Sequence, residues 1–152
     1  MEKMKILLVD DEERFLATTQ KLLAKKGIDA LTASGGAQAL DILNSRNIHV
    51  VILDVKMPGM DGNETLKEIK TRFPLVEVIM LTGHATVESA VDGMKRGAID
   101  YLMKPCDIDE LIERAKQAFE KRTVIEERIR SAQARLYVKS PREILKQKNV
   151  ED

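Results

Sequence analysis

Net charge is absent from this 152-residue chain, in which 25 lysines and arginines face 25 acidic residues. That balance removes any global electrostatic case for binding nucleic acid or a membrane surface. Cysteine is nearly absent too. Cys106 stands alone, so no internal disulfide can form, which fits a reducing compartment. No apolar run approaches the roughly 20 residues that cross a bilayer. The segment Met1 to Lys5 leads straight into an apolar run with no room for a secretory signal, so a cytoplasmic protein is expected. Also missing is a glycine-rich phosphate loop ending in Lys-Ser/Thr, the mark of an attached ATPase domain. There is no internal repeat beyond the unit described below, and no low-complexity segment.

What remains is an ordinary globular composition, 43% hydrophobic and 33% charged, long enough for one domain with a modest appendage. Five short apolar runs mark strands: Ile6–Val9, Ile28–Thr32, Val50–Leu53, Val78–Leu81 and Ile99–Met103. Several are continuous rather than alternating, as strands buried on both faces of a parallel sheet should be. The segments between them have helical spacing. Phe15, Thr19, Leu22 and Leu23 mark the inner face of the first, which Gly27 stops. Ala37, Leu40, Ile42 and Leu43 serve the second, with Ser34 as N-cap. Leu66 and Ile69 serve the third, ended by Pro74, and Val87, Ala90, Val91 and Met94 the fourth, closed by Gly97. Repeated βα units of this length predict an α/β fold: a doubly wound, five-stranded parallel sheet in the order 2-1-3-4-5, flavodoxin-like.

The fifth helix is longer. An Asp107-x-x-Glu110 capping box predicts its start, and Leu111, Ala115, Ala118, Arg122, Ile125, Ile129, Ala132 and Leu136 follow at steps of four and three. The pattern predicts a domain over residues 1–122 and a helical tail over 123–152. Ser140-Pro141-Arg142-Glu143 reads as a second capping box opening a short last helix. A second copy of the chain is the expected cover for Ile125, Ile129 and Leu136, giving a homodimer; packing on its own domain is the alternative. The tail is too short for a helix-turn-helix domain and has no strong basic patch, so no direct nucleic-acid binding is expected.

Every residue with chemistry to offer lies at the carboxyl end of a predicted strand: Asp10 and Asp11 after the first, Asp54 after the third, Thr82 at the fourth, Lys104 after the fifth. Ligands of open α/β sheets bind there, at the point where strand order reverses. Three converging carboxylates repel one another without a cation, and an all-oxygen ligand set suits Mg²⁺. Lys104 supplies a positive charge that suits a phosphoryl oxygen and would otherwise pair with Asp54; Thr82 supplies a hydroxyl beside the open Gly83. Carboxylate nucleophile, divalent metal, lysine and hydroxyl make a phosphoryl-transfer site.

Val9-Asp10-Asp11, Leu53-Asp54-Val55-Lys56-Met57-Pro58-Gly59-Met60-Asp61-Gly62, Leu81-Thr82-Gly83 and Tyr101-Leu102-Met103-Lys104-Pro105 together resemble the bacterial response-regulator receiver family. Gly83 to Ala90, followed by Gly97-Ala98-Ile99-Asp100-Tyr101, is most similar to receivers of NtrC-type regulators. The resemblance covers about Met4 to Arg122. It implies phosphorylation of Asp54 by a sensor histidine kinase or a phosphotransfer protein, and a downstream protein target. It implies direct Mg²⁺ ligation by Asp11, Asp54 and the Lys56 carbonyl, with Asp10 acting mainly through water. It further implies a cis peptide before Pro105 and a Thr82–Tyr101 switch pair, in which the hydroxyl moves to the phosphoryl group and the ring turns into the space left. Such a chain is no enzyme beyond its own phosphorylation and dephosphorylation.

The rival with similar parts is a haloacid-dehalogenase-type phosphatase, whose second Asp lies two residues after the nucleophile. That position here is Lys56, which cannot protonate a leaving oxygen in the same way. Pro58, Gly59, Asp61 and Gly62 are in part plain turn chemistry. His84 reads as a loop residue, His49 as structural and Cys106 as inert.

Overall fold

The computed structural model describes residues 2–83 and 86–151, with side chains through residue 136. The chain divides into two compact units, Met1–Arg122 and Thr123–Asp152. In the first, five strands and five helices alternate: β1 Lys5–Val9, α1 Glu13–Lys25, β2 Asp29–Ala33, α2 Gly36–Ser45, β3 Val50–Leu53, α3 Gly62–Arg72, β4 Glu77–Thr82, α4 Val87–Lys95, β5 Asp100–Met103 and the start of α5 Ile108–Glu151. All pairings are parallel and the order is β2-β1-β3-β4-β5, as the sequence pattern predicts. The crossovers put helices on both faces, which is why β1, β3 and β4 are apolar at nearly every position.

Side chains alternating along the strands form two separate cores. Leu7, Val9, Val51, Leu53, Val78 and Met80 pack with Ala39, Leu40 and Leu43 of α2 and Leu66 and Ile69 of α3. Ile6, Leu8, Val50, Ile52, Ile79 and Leu81 pack with Leu16 and Leu23 of α1 and Leu111, Ala115 and Ala118 of α5. Each large apolar side chain buried here contributes about 1.5–3 kcal/mol.

Helix ends follow the expected chemistry at Gly27 and Gly97, which take φ of 77° and 108° after α1 and α4, where L side chains are strained. Helix faces differ in places. α1 buries Leu16, Thr19 and Leu23 and leaves Leu22 exposed. α2 buries Ala39 rather than Ala37, and Ser34 is not its N-cap: Gln38 reaches back so that its Oε1 accepts the Ser34 N–H at 2.8 Å. The largest departure is α4, whose only buried residue is Gly93, while Val87, Val91 and Met94 face water. α4 lies close over β5, and a glycine is what that approach accommodates: a Cβ there would meet the Tyr101 ring at 3.4 Å.

His49 is structural, as expected. It is fully buried, its Nδ1 accepts the Lys5 N–H at 2.9 Å, and its ring meets Phe119 edge-on with centroids 4.9 Å apart. Its Nε2 lies 3.1 Å from Glu2 Oε1, off the line of a hydrogen bond.

α5 opens with Asp107 Oδ1 accepting the Asp109 N–H, so the cap serves the second helical amide without Glu110. The helix continues unbroken past Ser140–Glu143, and no second start occurs there. In the second unit Val124, Ile129 and Leu136 are exposed and Ile125 half-buried.

The loop after β3 closes tightly. Asp61 Oδ1 accepts the Glu64 N–H at 2.9 Å to cap α3, and the Gly62 N–H donates to the Val55 carbonyl at 2.7 Å. A Cβ on Gly62 would sit 2.2 Å from the Asp54 carbonyl oxygen and 2.6 Å from Val55 Cα, a collision with backbone that no rotamer relieves. Gly62→Ala should therefore lower the unfolding free energy by about 3 kcal/mol, measured by urea denaturation.

Candidate functional site

The sheet register fixes where the polar residues emerge. Val9 pairs with Leu53, and the ladder runs one residue beyond: the Asp10 N–H donates to the Ala33 carbonyl at 3.1 Å and the Asp54 N–H to the Val9 carbonyl at 3.0 Å. Thr82 pairs with Met103, and the Lys104 N–H donates to the Thr82 carbonyl at 2.8 Å. Asp10, Asp54, Thr82 and Lys104 thus share one rim, with Asp11 next along the chain. The Lys104–Pro105 peptide is cis.

Asp10, Asp11 and Asp54 offer carboxylate oxygens all within 4.8 Å of one another. Asp10 and Asp54 are buried and Asp11 is exposed. Their oxygens are engaged very differently. Asp10 is engaged at both oxygens: Oδ1 accepts the Glu12 N–H at 3.0 Å and Oδ2 accepts from Lys104 Nζ at 2.5 Å. Asp54 Oδ1 is buried with no hydrogen-bond partner. An orphaned carboxylate oxygen costs free energy, and it is the oxygen available to an incoming group.

Lys104 pairs with Asp54, as the sequence led us to expect, but its shortest bond is to Asp10. Its Nζ is bonded to Asp10, lies 3.4 Å from Glu12 Oε1, and stays 3.9 Å from Asp54 Oδ2. It also lies over the Phe15 ring, 4.1 Å from the centroid, a cation–π contact. Asp10 is 1% exposed, and a buried carboxylate of this kind needs a partner such as this ammonium.

The two partners do not shift as a simple ion pair would. Burial pushes the Asp10 carboxyl above the usual range and Asp54 adds to this, while the bonds from Lys104 and Glu12 offset only part. Burial alone would pull the Lys104 ammonium down, but its bond to Asp10 and the attraction of Asp10, Asp54 and Glu12 raise it overall. One lysine is thus shared among too many carboxylates, and the site carries excess negative charge.

Lys56 is exposed and lines an open depression of about 500 Å³ with Asp11, Glu12, Asp54, Met57, Pro58 and Asp61. Thr82 is fully buried. Tyr101 is half-buried, packed against the α2/α3 core, with its hydroxyl 2.8 Å from Ser89 Oγ. His84 lies outside the described residues. Three contributors escape sequence reasoning: Glu12 and Phe15 around Lys104, and Ser89 at Tyr101. Glu12 directly follows the aspartate pair, which is a signal; the other two have none, because their partners lie across the fold.

Residues 6–116 match the response regulator receiver domain family. The chain belongs to this family. It is therefore a receiver of two-component phosphorelay signalling, a module that takes a phosphoryl group on an aspartate. This receiver is 41% identical over 118 residues to the DNA-binding transcriptional regulator NtrC of Escherichia coli (strain K12), covering 76% of the present chain and 25% of NtrC. It spans about a quarter of the length of the curated relatives it matches. Among solved structures, a CheY-like receiver domain protein from Methanospirillum hungatei JF-1 superposes with a TM-score of 0.76 at 29% identity, covering 80% of this chain and 98% of that one. The receiver domain of NtrX from Brucella abortus gives 0.72 at 38% identity, covering 76% and 98%. No helix among the described residues is long and apolar enough to cross a membrane.

The charge excess predicts that the receiver is less stable than its packing allows. Asp54→Asn removes one of three crowded carboxylates with little change of shape. In metal-free buffer it should raise the unfolding free energy by about 1–2 kcal/mol in urea titrations.

Proposed function

We propose that Asp54 is the phosphoryl acceptor of this receiver and that Asp11, Asp54 and the Lys56 carbonyl hold a Mg²⁺ ion, with Asp10 acting through water. The observation that carries the reading is the division of labour among the carboxylates. Both Asp10 oxygens are bonded within the protein, while Asp54 Oδ1 is buried without a partner and Asp11 faces the open depression. All-oxygen donors with a crowded negative charge fit a hard divalent cation. Such an ion, when bound, supplies charge neutralisation for the carboxylates and for phosphoryl oxygens.

The chain's own residues supply the rest. Asp54 Oδ1 attacks the phosphorus of a phosphohistidine; the new O–P bond replaces the P–N bond, and the imidazole leaves. Lys104, now resting on Asp10 and Phe15, turns its ammonium to a phosphoryl oxygen. Thr82 donates its hydroxyl to another, and Tyr101 responds by turning toward the space vacated, shifting a pre-existing two-state equilibrium. The donor is a sensor histidine kinase or a phosphotransfer protein, the setting cytoplasmic, and the output a contact with a downstream protein. No separate substrate is turned over.

Acetyl phosphate with Mg²⁺ should add a single phosphoryl group to the wild type, read by intact mass. Asp54→Asn or excess EDTA should abolish it; labelling that survives either would sink the assignment. Thr82→Ala should still be labelled, but beryllofluoride should no longer cause the wild-type pattern of amide shifts. Asp11→Ala should lose most of its Mg²⁺ affinity, at least about tenfold by titration, because one of two direct side-chain ligands is gone.

A second reading concerns the tail over 123–152. Ile125, Ile129, Ala132 and Leu136 repeat at coiled-coil spacing, and Ile129 and Leu136 are 43% and 69% exposed. We propose that a second copy covers this stripe in a two-stranded coiled coil of about two heptads. The dimer is weak and responds to phosphorylation. Sedimentation should show self-association that Ile125→Asp/Ile129→Asp removes and that beryllofluoride changes. A wild type that stays monomeric at ~100 µM in both states would eliminate it.

A further inference from the structure

The Tyr101 ring lies lengthwise along one face of α4. Its edge passes Gly93, where an added Cβ would meet Cδ2 at 3.4 Å and Cε2 at 3.5 Å, and its hydroxyl ends 2.8 Å from Ser89 Oγ, one turn earlier. Ser89 is also the third residue of α4 and closes the capping box that starts it. The Thr86 N–H donates to Ser89 Oγ at 3.0 Å, and the Ser89 N–H donates to Thr86 Oγ1 at 3.0 Å. Ser89 Oγ further lies 3.1 Å from the Thr86 carbonyl and 3.1 Å from Thr86 Oγ1.

A serine hydroxyl has one hydrogen and two lone pairs. The Thr86 N–H takes one lone pair, and the Thr86 carbonyl can only accept, so it takes the hydrogen. The Tyr101 hydroxyl shares the remaining capacity of this oxygen at 2.8 Å, with the Thr86 Oγ1 hydroxyl as the other neighbour at 3.1 Å. A single oxygen therefore closes both the first turn of α4 and the tip of the Tyr101 ring.

We propose that Ser89 is a positioning residue for the switch: its hydroxyl holds Tyr101 along α4 and ties that orientation to the α4 cap, so the ring cannot turn without loosening the helix start. The proposal rests on reading Tyr101 as the switch aromatic. α4 is well suited to such control, because it buries only Gly93 and exposes Val87, Val91 and Met94, leaving it few apolar contacts to resist a change at its first turn. Val87, 83% exposed, follows the cap directly, so the ring's release is felt where α4 presents apolar surface.

The test measures Tyr101 χ1 populations through three-bond couplings from N and C′ to Cγ, in the full chain labelled with ¹⁵N and ¹³C. One neutral hydrogen bond corresponds to about a five-fold change in relative population. Ser89→Ala should deplete the wild-type rotamer by about that factor, and Ser89→Thr, which restores the hydroxyl, should keep it. Tyr101→Phe leaves Ser89 in place, so a purely local cap would be unaffected; the proposal expects faster hydrogen exchange at Ala90, whose N–H bonds the Thr86 carbonyl. Unchanged Tyr101 rotamers in Ser89→Ala, or unchanged Ala90 exchange in Tyr101→Phe, would overturn it. Failure of the underlying reading looks different. Wild-type Tyr101 rotamers that ignore beryllofluoride remove the switch role, while the Ser89→Ala comparison still decides whether Ser89 positions the ring.

Discussion

One register, Val9 opposite Leu53, sets everything that follows at the rim of the sheet. Parallel pairing lets the ladder continue one residue past each strand, and that extra step delivers Asp10 and Asp54 side by side. A slip of a single residue would turn Asp54 toward the opposite face and send Leu53 to the rim. Packing shape on both faces holds the register: Leu7, Val9, Val51 and Leu53 fill one core and Ile6, Leu8, Val50 and Ile52 the other. The apolar sheet thus holds three carboxylates in a place they would not choose.

Their crowding explains the rest of the site. Asp10 holds Lys104 most closely, leaving Asp54 with an orphaned oxygen and a lysine 3.9 Å away. Phe15 and Glu12 help to hold the ammonium there. A cation bound among the carboxylates relieves that crowding, and under the function proposed above Lys104 and Thr82 then answer the charge that a phosphoryl group adds at Asp54.

The strand set, strand order and rim residues were legible in the sequence because two-sided burial writes continuous apolar runs, as in Val50–Leu53, and because polar residues follow those runs at fixed places. Helix faces were less legible. The spacing of Val87, Val91 and Met94 on α4 reads as a core stripe, yet close approach to β5 puts the small Gly93 inside and turns the valines outward. Periodicity reports which residues share a face, not which face the neighbours leave room for. The pairing of Lys104 with Asp54 was legible and is present at 3.9 Å, but its shorter bond to Asp10 was not, since spacing gives proximity to the rim and not the distances along it. Phe15 and Ser89 were invisible, because each gains its role from a residue brought near only by folding. The helix start at Ser140 also misled: its capping letters lie inside a helix that is already running.

The two cores never mix, because the sheet separates them completely. Within one layer, Leu40 can be felt by Leu66; Leu16 on the other side has no direct path to either. Substitutions on opposite sides of such a partition act additively, as distant sites with no shared partner do. In evolutionary terms the fold is two nearly independent traits on one chassis. The α1/α5 side and the α2/α3/α4 side can each be rewritten for new companions without renegotiating the other, so long as the rim between them keeps its register.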